Sequence, residues 1–330
     1  MKIIYAGSPE AAKITLEFLV ENQQQFGFEI AGVLSNPPTA KGRHKTPTPT
    51  PVAEYALSKG LPVFTPEHLD GAAREQIAPL GADLLVCFAY GHIFGPKFLG
   101  LFPMGGINLH PSFLPKYRGC TPVQQAILEG DELLGISIQT LSLKMDAGDI
   151  LKQDFVNIKE QDTTESLLNY SALAGAKMIC SIIQQSTQAG SLIKGKPQRK
   201  EGITYTYTIT KDMAKINWSE SAQLICRKIR AYYPDPCSWC FEQNDSTLKI
   251  AQAHEMSDSD TQLTLSIEEE AFKDFSYGKV LPYNKNAGGI LVKTGDGVLC
   301  ITKLQRQGKA MMNYKDFMNG AKDFIGTVLK

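Results

Sequence analysis

The 330-residue chain carries no excess charge of either sign, with Lys plus Arg and Asp plus Glu both at 34. Global electrostatics therefore give no hint of nucleic acid, and such a partner has to be sought in local clusters. Long apolar runs are missing as well. The longest, Leu84 to Tyr90, falls far short of the roughly 20 residues a membrane helix needs, so no membrane partner is expected. The opening stretch Met1-Lys2-Ile3-Ile4-Tyr5 closes at Gly7, shorter than the apolar region of a secretory signal. The 7 cysteines are scattered and odd in number, which is no disulfide framework. A cytoplasmic protein is the expectation. Gly7-Ser8-Pro9 lacks the spaced glycines of a dinucleotide site, and no serine sits in a nucleophile elbow. Cys237-Ser238-Trp239-Cys240 is a lone CxxC without a second pair or a histidine at ligand spacing, so no metal is expected. There is neither an internal repeat nor a low-complexity tract.

What is present is the balance of a globular protein, 43% apolar and 21% charged, long enough for about two domains. The first part alternates strand-like and helix-like segments. Lys2 to Ala6, Glu29 to Leu34, Leu84 to Ala89 and Gly106 to His110 read as strands, and Glu10 to Asn22 and Thr121 to Gly130 as helices. Alternation of this kind predicts a doubly wound, mostly parallel sheet, with ligands beyond the carboxyl ends of the strands. Gly135 to Leu143 and Asp149 to Ile158 read as two further strands, joined by a Gly-containing turn. A long helix follows from Thr163 to Thr187. Residues 188–202 read as a basic linker. Beyond them lie short strand-like segments broken by Gly, Asn or Asp, which fit a small OB-like β-barrel over 203–330. The brief Thr46-Pro47-Thr48-Pro49-Thr50-Pro51 alternation reads as an extended loop.

The chemistry concentrates in Gly106-Ile107-Asn108-Leu109-His110 and the Pro111 to Gly119 segment after it. Asn108 and His110 are alternate residues of a strand, so their side chains leave the same face. An amide donor beside an imidazole suits a reaction that passes through a tetrahedral oxyanion. By itself the pair reads equally as a strand end with a satisfied histidine. Asp146, in Lys144-Met145-Asp146-Ala147-Gly148-Asp149, supplies a carboxylate that could orient the imidazole, although an aspartate in a turn more often serves the turn. The Asn36 to Pro51 stretch has no acidic residue and clusters Lys41, Arg43, His44 and Lys45. That composition suits phosphate contact, or an ordinary solvated loop.

Asn108, His110, the Ser112-Phe113-Leu114-Pro115-Lys116-Tyr117-Arg118-Gly119 run and Asp146-Ala147-Gly148-Asp149 together resemble the signature of the folate-dependent formyltransferases. The resemblance extends from Ile3 through Ala6-Gly7-Ser8-Pro9 to Ile216-Asn217-Trp218-Ser219 and Ile229-Arg230-Ala231. Within that superfamily it is similar to the branch acting on methionyl-tRNA. It implies formyl transfer from 10-formyltetrahydrofolate to methionine on initiator tRNA, by a monomer, with Asn108, His110 and Asp146 catalytic. Ser112, Phe113, Leu114 and Pro115 match the family's folate-contacting loop, and Phe88, Ala89, Tyr90 and Gly91 are placed to offer backbone groups to a pterin. The resemblance also assigns tRNA contact to the 41–45 cluster, and Lys194, Lys196 and Arg199 extend that track. Pro111 and Phe113 depart from the family's usual Gly and Leu. Formyltransferases acting on nucleotide-linked amino sugars share the Asn, His and Asp; the basic 41–45 cluster argues against them. A tRNA-binding module without catalysis is the reading from a different class.

Overall fold

The computed structural model describes residues 1–41, 46–257, 274–282, 287–321 and 323–330, with Thr261 and Phe272. They form two compact units, the first comprising 1–123, 132–158 and 166–207, the second 124–131, 159–165 and 208–330.

The first unit starts with β1 (Lys2–Gly7), α1 (Glu10–Phe26) and β2 (Glu29–Leu34). Ala11, Ala12, Thr15, Leu16 and Leu19 are the buried face of α1, the spacing of one helical stripe. Gly27, at φ 71, ends the helix in the left-handed conformation. A small antiparallel hairpin follows, β3 (Thr39–Lys41) with β4 (Thr46–Thr48). The Thr-Pro alternation is therefore half strand, and its last proline opens α2 (Pro51–Ser58). Proline suits the first helical turn, where its missing N–H has no partner to lose. Thr50 caps that helix by accepting from Ala53 N at 3.1 Å.

Next come β5 (Val63–Phe64), α3 (Gly71–Ile77), β6 (Leu84–Phe88), α4 (Pro96–Leu99), β7 (Gly106–His110), β8 (Arg118–Gly119) and α5 (Pro122–Glu129), whose residues from Gln124 on belong to the second unit. The series continues with β9 (Leu133–Thr140), β10 (Ile150–Asn157), α6 (Thr164–Ala189) and β11 (Tyr205–Thr206). The main sheet has seven strands in the order β10-β9-β7-β6-β1-β2-β5. The pairings from β5 to β7 are parallel, and β9 and β10 add an antiparallel edge. β6 is buried at every residue, because helices and loops cover both of its faces. By length and composition α6 would suit a membrane span. Here Ala172, Ile179, Cys180 and Ile183 bury it in the core with β1, β6 and β7.

The second unit holds α7 (Ala222–Tyr232) and the antiparallel strands β12 (Ser238–Phe241), β13 (Thr247–Glu255), β14 (Ile290–Lys293), β15 (Val298–Arg306) and β16 (Met312–Asn313). Its sheet runs β12-β13-β15-β14, with β16 on β15. Ile225 and Ile229 of α7 pack on Leu248, Ile250, Leu299 and Ile301. The chain is thus an α/β unit with a mostly parallel sheet plus a β-rich unit.

Candidate active site

The chain leaves β1 for β2 on one side and returns to β6 on the other, so the sheet order reverses at β1. A crevice opens at such a reversal, beyond the carboxyl ends of the strands. Gly7 ends β1 opposite Phe88 of β6, and one strand further on Cys87 pairs with Asn108. A Cβ on Gly7 would lie 2.8 Å from both Phe88 O and Ala12 Cβ, so only glycine permits this close approach. On β9, Gln139 stands opposite Asn108 and Ser137 opposite His110. Cross-strand partners share a face, so Cys87, Asn108, His110, Gln139 and Ser137 form a polar group on one side of the sheet. Ile107, Leu109, Ile136 and Ile138 alternate with them and fill the core on the other side.

His110 is 4% exposed. Its Nε2 lies 2.8 Å from the Tyr117 carbonyl oxygen, which can only accept, so Nε2 carries a hydrogen. Its Nδ1 faces Asp146 Oδ1 at 3.6 Å, an ion-pair separation longer than a hydrogen bond. The Asp146 carboxylate is otherwise served by donors: Gly119 N–H to Oδ2 at 2.8 Å and Gln139 Nε2 to Oδ1 at 2.9 Å. Its negative charge reaches Cys87, whose thiol is pushed up to about 12, chiefly by burial and in part by that charge. Asn108 is half-buried, and its amide has no hydrogen-bond partner among the described residues. Distant stretches of the sequence thus bring an imidazole and a carboxylate together beside an uncommitted amide.

The expected folate loop divides by side chain. Ser112 is buried, its hydroxyl donating to Lys116 O at 2.6 Å, and Leu114 is also buried. Phe113 is 51% exposed, and the Leu114–Pro115 bond is cis. After β6, Phe88 belongs to the core and Tyr90 is buried, whereas Ala89 and Gly91 are exposed. The Tyr90 hydroxyl and Asn36 Oδ1 are buried without hydrogen-bond partners among the described residues. Of the basic cluster, Lys41 ends β3, and Arg43, His44 and Lys45 lie outside the described residues. Lys194, Lys196 and Arg199 are exposed.

The stretch read as a linker is tied into the first unit. Ile150 and Lys196 exchange two backbone hydrogen bonds of 2.8 Å, and β11 pairs in parallel with β8. Four residues that sequence reasoning missed hold the site loops. Ser137 donates to Ser112 O at 2.6 Å and accepts from Leu114 N at 3.2 Å. Gln153 donates to Leu114 O at 3.0 Å. Gln139 and Gln198 serve the Asp146 turn. Polar Ser137 and Gln139, alternating with isoleucines in a buried strand, were a signal that could have found two of them. Gln198, among lysines and a proline, gave none. A cavity of about 490 Å³ in the second unit, lined by Lys215, Asn217, Trp218, Tyr277 and Lys330 among others, touches none of the candidate catalytic residues.

Comparison with known proteins decides the family. The formyl transferase model matches residues 1–183, and the formyl transferase C-terminal domain model matches 208–322. The methionyl-tRNA formyltransferase of Treponema denticola is 38% identical over 333 residues, covering 98% of each chain. That of Pseudoalteromonas translucida is 36% identical, covering 100% of this chain and 97% of its own. The chain belongs to the methionyl-tRNA formyltransferase family. Two solved structures share the fold at lower identity. The sugar 3N-formyl transferase WlaRD, solved in the presence of dTDP and 5-N-formyl-THF, has a TM-score of 0.58 at 20% identity, over 94% of this chain and 99% of its own. HypX from Aquifex aeolicus, solved with tetrahydrofolic acid, has 0.61 at 12%, over 98% and 47%.

Proposed function

We propose that the chain transfers the formyl group of 10-formyltetrahydrofolate to the amino group of methionine on initiator tRNA, within the cytoplasmic translation machinery. The observation that carries this reading is the approach of His110 Nδ1 to Asp146 Oδ1 at 3.6 Å on the face that also presents the free Asn108 amide.

The amine nitrogen attacks the formyl carbon, the carbonyl oxygen takes up negative charge, and the bond to N10 of the folate breaks. The proton lost by the amine ends on that N10. Asn108 donates to the developing oxyanion. Tyr117 occupies His110 Nε2, so Nδ1 is the ring nitrogen that serves the reaction, with Asp146 keeping the charged ring paired. The folate is a substrate here, and the residues present fit it. The exposed backbone at Ala89 and Gly91 offers polar groups to a pterin edge. Exposed Phe113 and the exposed Leu143 and Met145 that precede Asp146 offer apolar contact to its faces. Arg43 and Lys45 contact phosphates of the acceptor.

The test is formylation of methionyl-tRNA with 10-formyltetrahydrofolate, set beside a nucleotide-linked amino sugar as acceptor. We expect transfer to methionyl-tRNA, and a loss of at least about 100-fold in turnover for His110→Ala with its fold intact. Transfer to the amino sugar alone would overturn the reading. Replacing Arg43 and Lys45 with alanine should raise KM for methionyl-tRNA and flatten the salt dependence of binding, by about 0.7 to 0.9 in log–log slope for each phosphate that is no longer neutralised. An unchanged slope would remove phosphate contact from this cluster.

A further inference from the structure

The hydrogen bonds behind Asp146 run in one chemical direction. Arg118 is 7% exposed, and a guanidinium carries donors only. Its Nε and Nη2 lie 3.1 and 2.7 Å from Gln198 Oε1. An amide oxygen fixed there turns the NH2 of Gln198 the opposite way. That NH2 sits 2.8 Å from the carbonyl oxygens of Asp146 and Gly148 and 3.2 Å from Gln139 Oε1. The two hydrogens of that NH2 are shared among three acceptors, the Gln139 contact being the longest, and with its oxygen turned toward them Gln139 has only its NH2 for Asp146 Oδ1, at 2.9 Å. Gln139 is 2% exposed, so bulk water does not offer an alternative. Two amides therefore link a group that only donates to a carboxylate oxygen that accepts. Reversing either one would set oxygen against oxygen or NH2 against guanidinium.

We propose that Gln198 and Gln139, oriented by Arg118, are positioning residues for Asp146. The relay supplies Oδ1 with a donor and fixes which carboxylate oxygen faces His110 Nδ1. This role rests on the reading of Asp146 as part of the formyl-transfer site. It gives the 196–207 segment a part in the chemistry, beyond tying the chain to β8 and β10. It also commits the Arg118 side chain inside the unit.

Gln198→Glu separates the relay from a mere tether. Glutamate keeps, and by charge strengthens, the bond to Arg118, but it has no NH2 for Gln139, Asp146 O or Gly148 O. We expect kcat for formyl transfer, assayed well below the Tm of both proteins, to fall at least 10-fold, with KM for both substrates within twofold. Gln139→Glu provides the second readout. Its carboxylate would face Asp146 among His110, Arg118 and the Cys87 thiol, and as the pH falls it gains an O–H that can donate to Oδ1. Its kcat, relative to wild type at each pH, should therefore recover toward acid. Wild-type kcat in Gln198→Glu, or a Gln139→Glu profile parallel to wild type, would overturn the relay. So would a loss of kcat that only tracks a loss of Tm. A wild-type protein that formylates no methionyl-tRNA would instead sink the functional reading on which the relay rests, so the two failures are distinguishable.

Discussion

Three residues other than glycine hold left-handed backbone around the site: Ala89 at φ 51, Tyr117 at φ 61 and Asp146 at φ 48. For an L-residue this conformation costs about 1–2 kcal/mol, and such residues gather where function requires a particular geometry. At Tyr117 the turn aims a carbonyl at His110 Nε2. At Asp146 it accompanies a carboxylate held by donors from Gly119 and Gln139, and aspartate tolerates the conformation better than most residues. Ala89 makes no side-chain hydrogen bond, so its strain can be relieved without disturbing one. We expect Ala89→Gly to raise stability by up to about 1 kcal/mol, the strain relieved being partly offset by the chain entropy of glycine. The denaturation midpoint measures this, and a clear decrease would mean that the strain is absent.

The loop after β7 and the strand β9 fit together through a missing side chain. A Cβ on Gly135 would lie 2.0 Å from Phe113 N and 2.4 Å from its Cα. Those are backbone atoms, so the Ser112 to Pro115 segment would have to move. Gly135→Ala should destabilise the protein by about 1–3 kcal/mol and raise KM for the folate more than KM for methionyl-tRNA. Equal effects on both would argue against folate contact by that loop. The strands β2 and β7 were legible residue for residue, because a short apolar run closed by turn residues has one reading. So was the amide–imidazole pair, since alternate residues of a strand always share a face. The β3–β4 hairpin and α2 were not legible, because proline reads as loop until its neighbours' hydrogen bonds are known. Gln198 was hidden for a related reason: its role depends on four partners, Arg118, Gln139, Asp146 and Gly148, that lie 50 or more residues from it in sequence.

Across the whole molecule, burial controls cysteine chemistry. Of the seven cysteines only Cys120 is exposed, while burial pushes the thiols of Cys87, Cys180, Cys226 and Cys300 up to about 12. Cys237 and Cys240, the CxxC pair, are raised in the same way, which leaves them inert as nucleophiles. Titration with a thiol reagent near pH 8 should modify about one cysteine in the native protein and all of them after denaturation. Rapid reaction at the CxxC pair would contradict this packing. The fold supports its function only if His110, Asp146 and Asn108 act on one carbon, and Asp146→Asn tests that most directly. Asparagine suits the left-handed backbone and retains an oxygen for the Gly119 N–H, while the change removes the charge and puts an NH2 where Oδ1 accepted from Gln139. Single-turnover formylation of methionyl-tRNA by this variant should slow at least about 100-fold, with folate affinity within a few-fold of wild type. A rate within threefold of wild type would contradict the account.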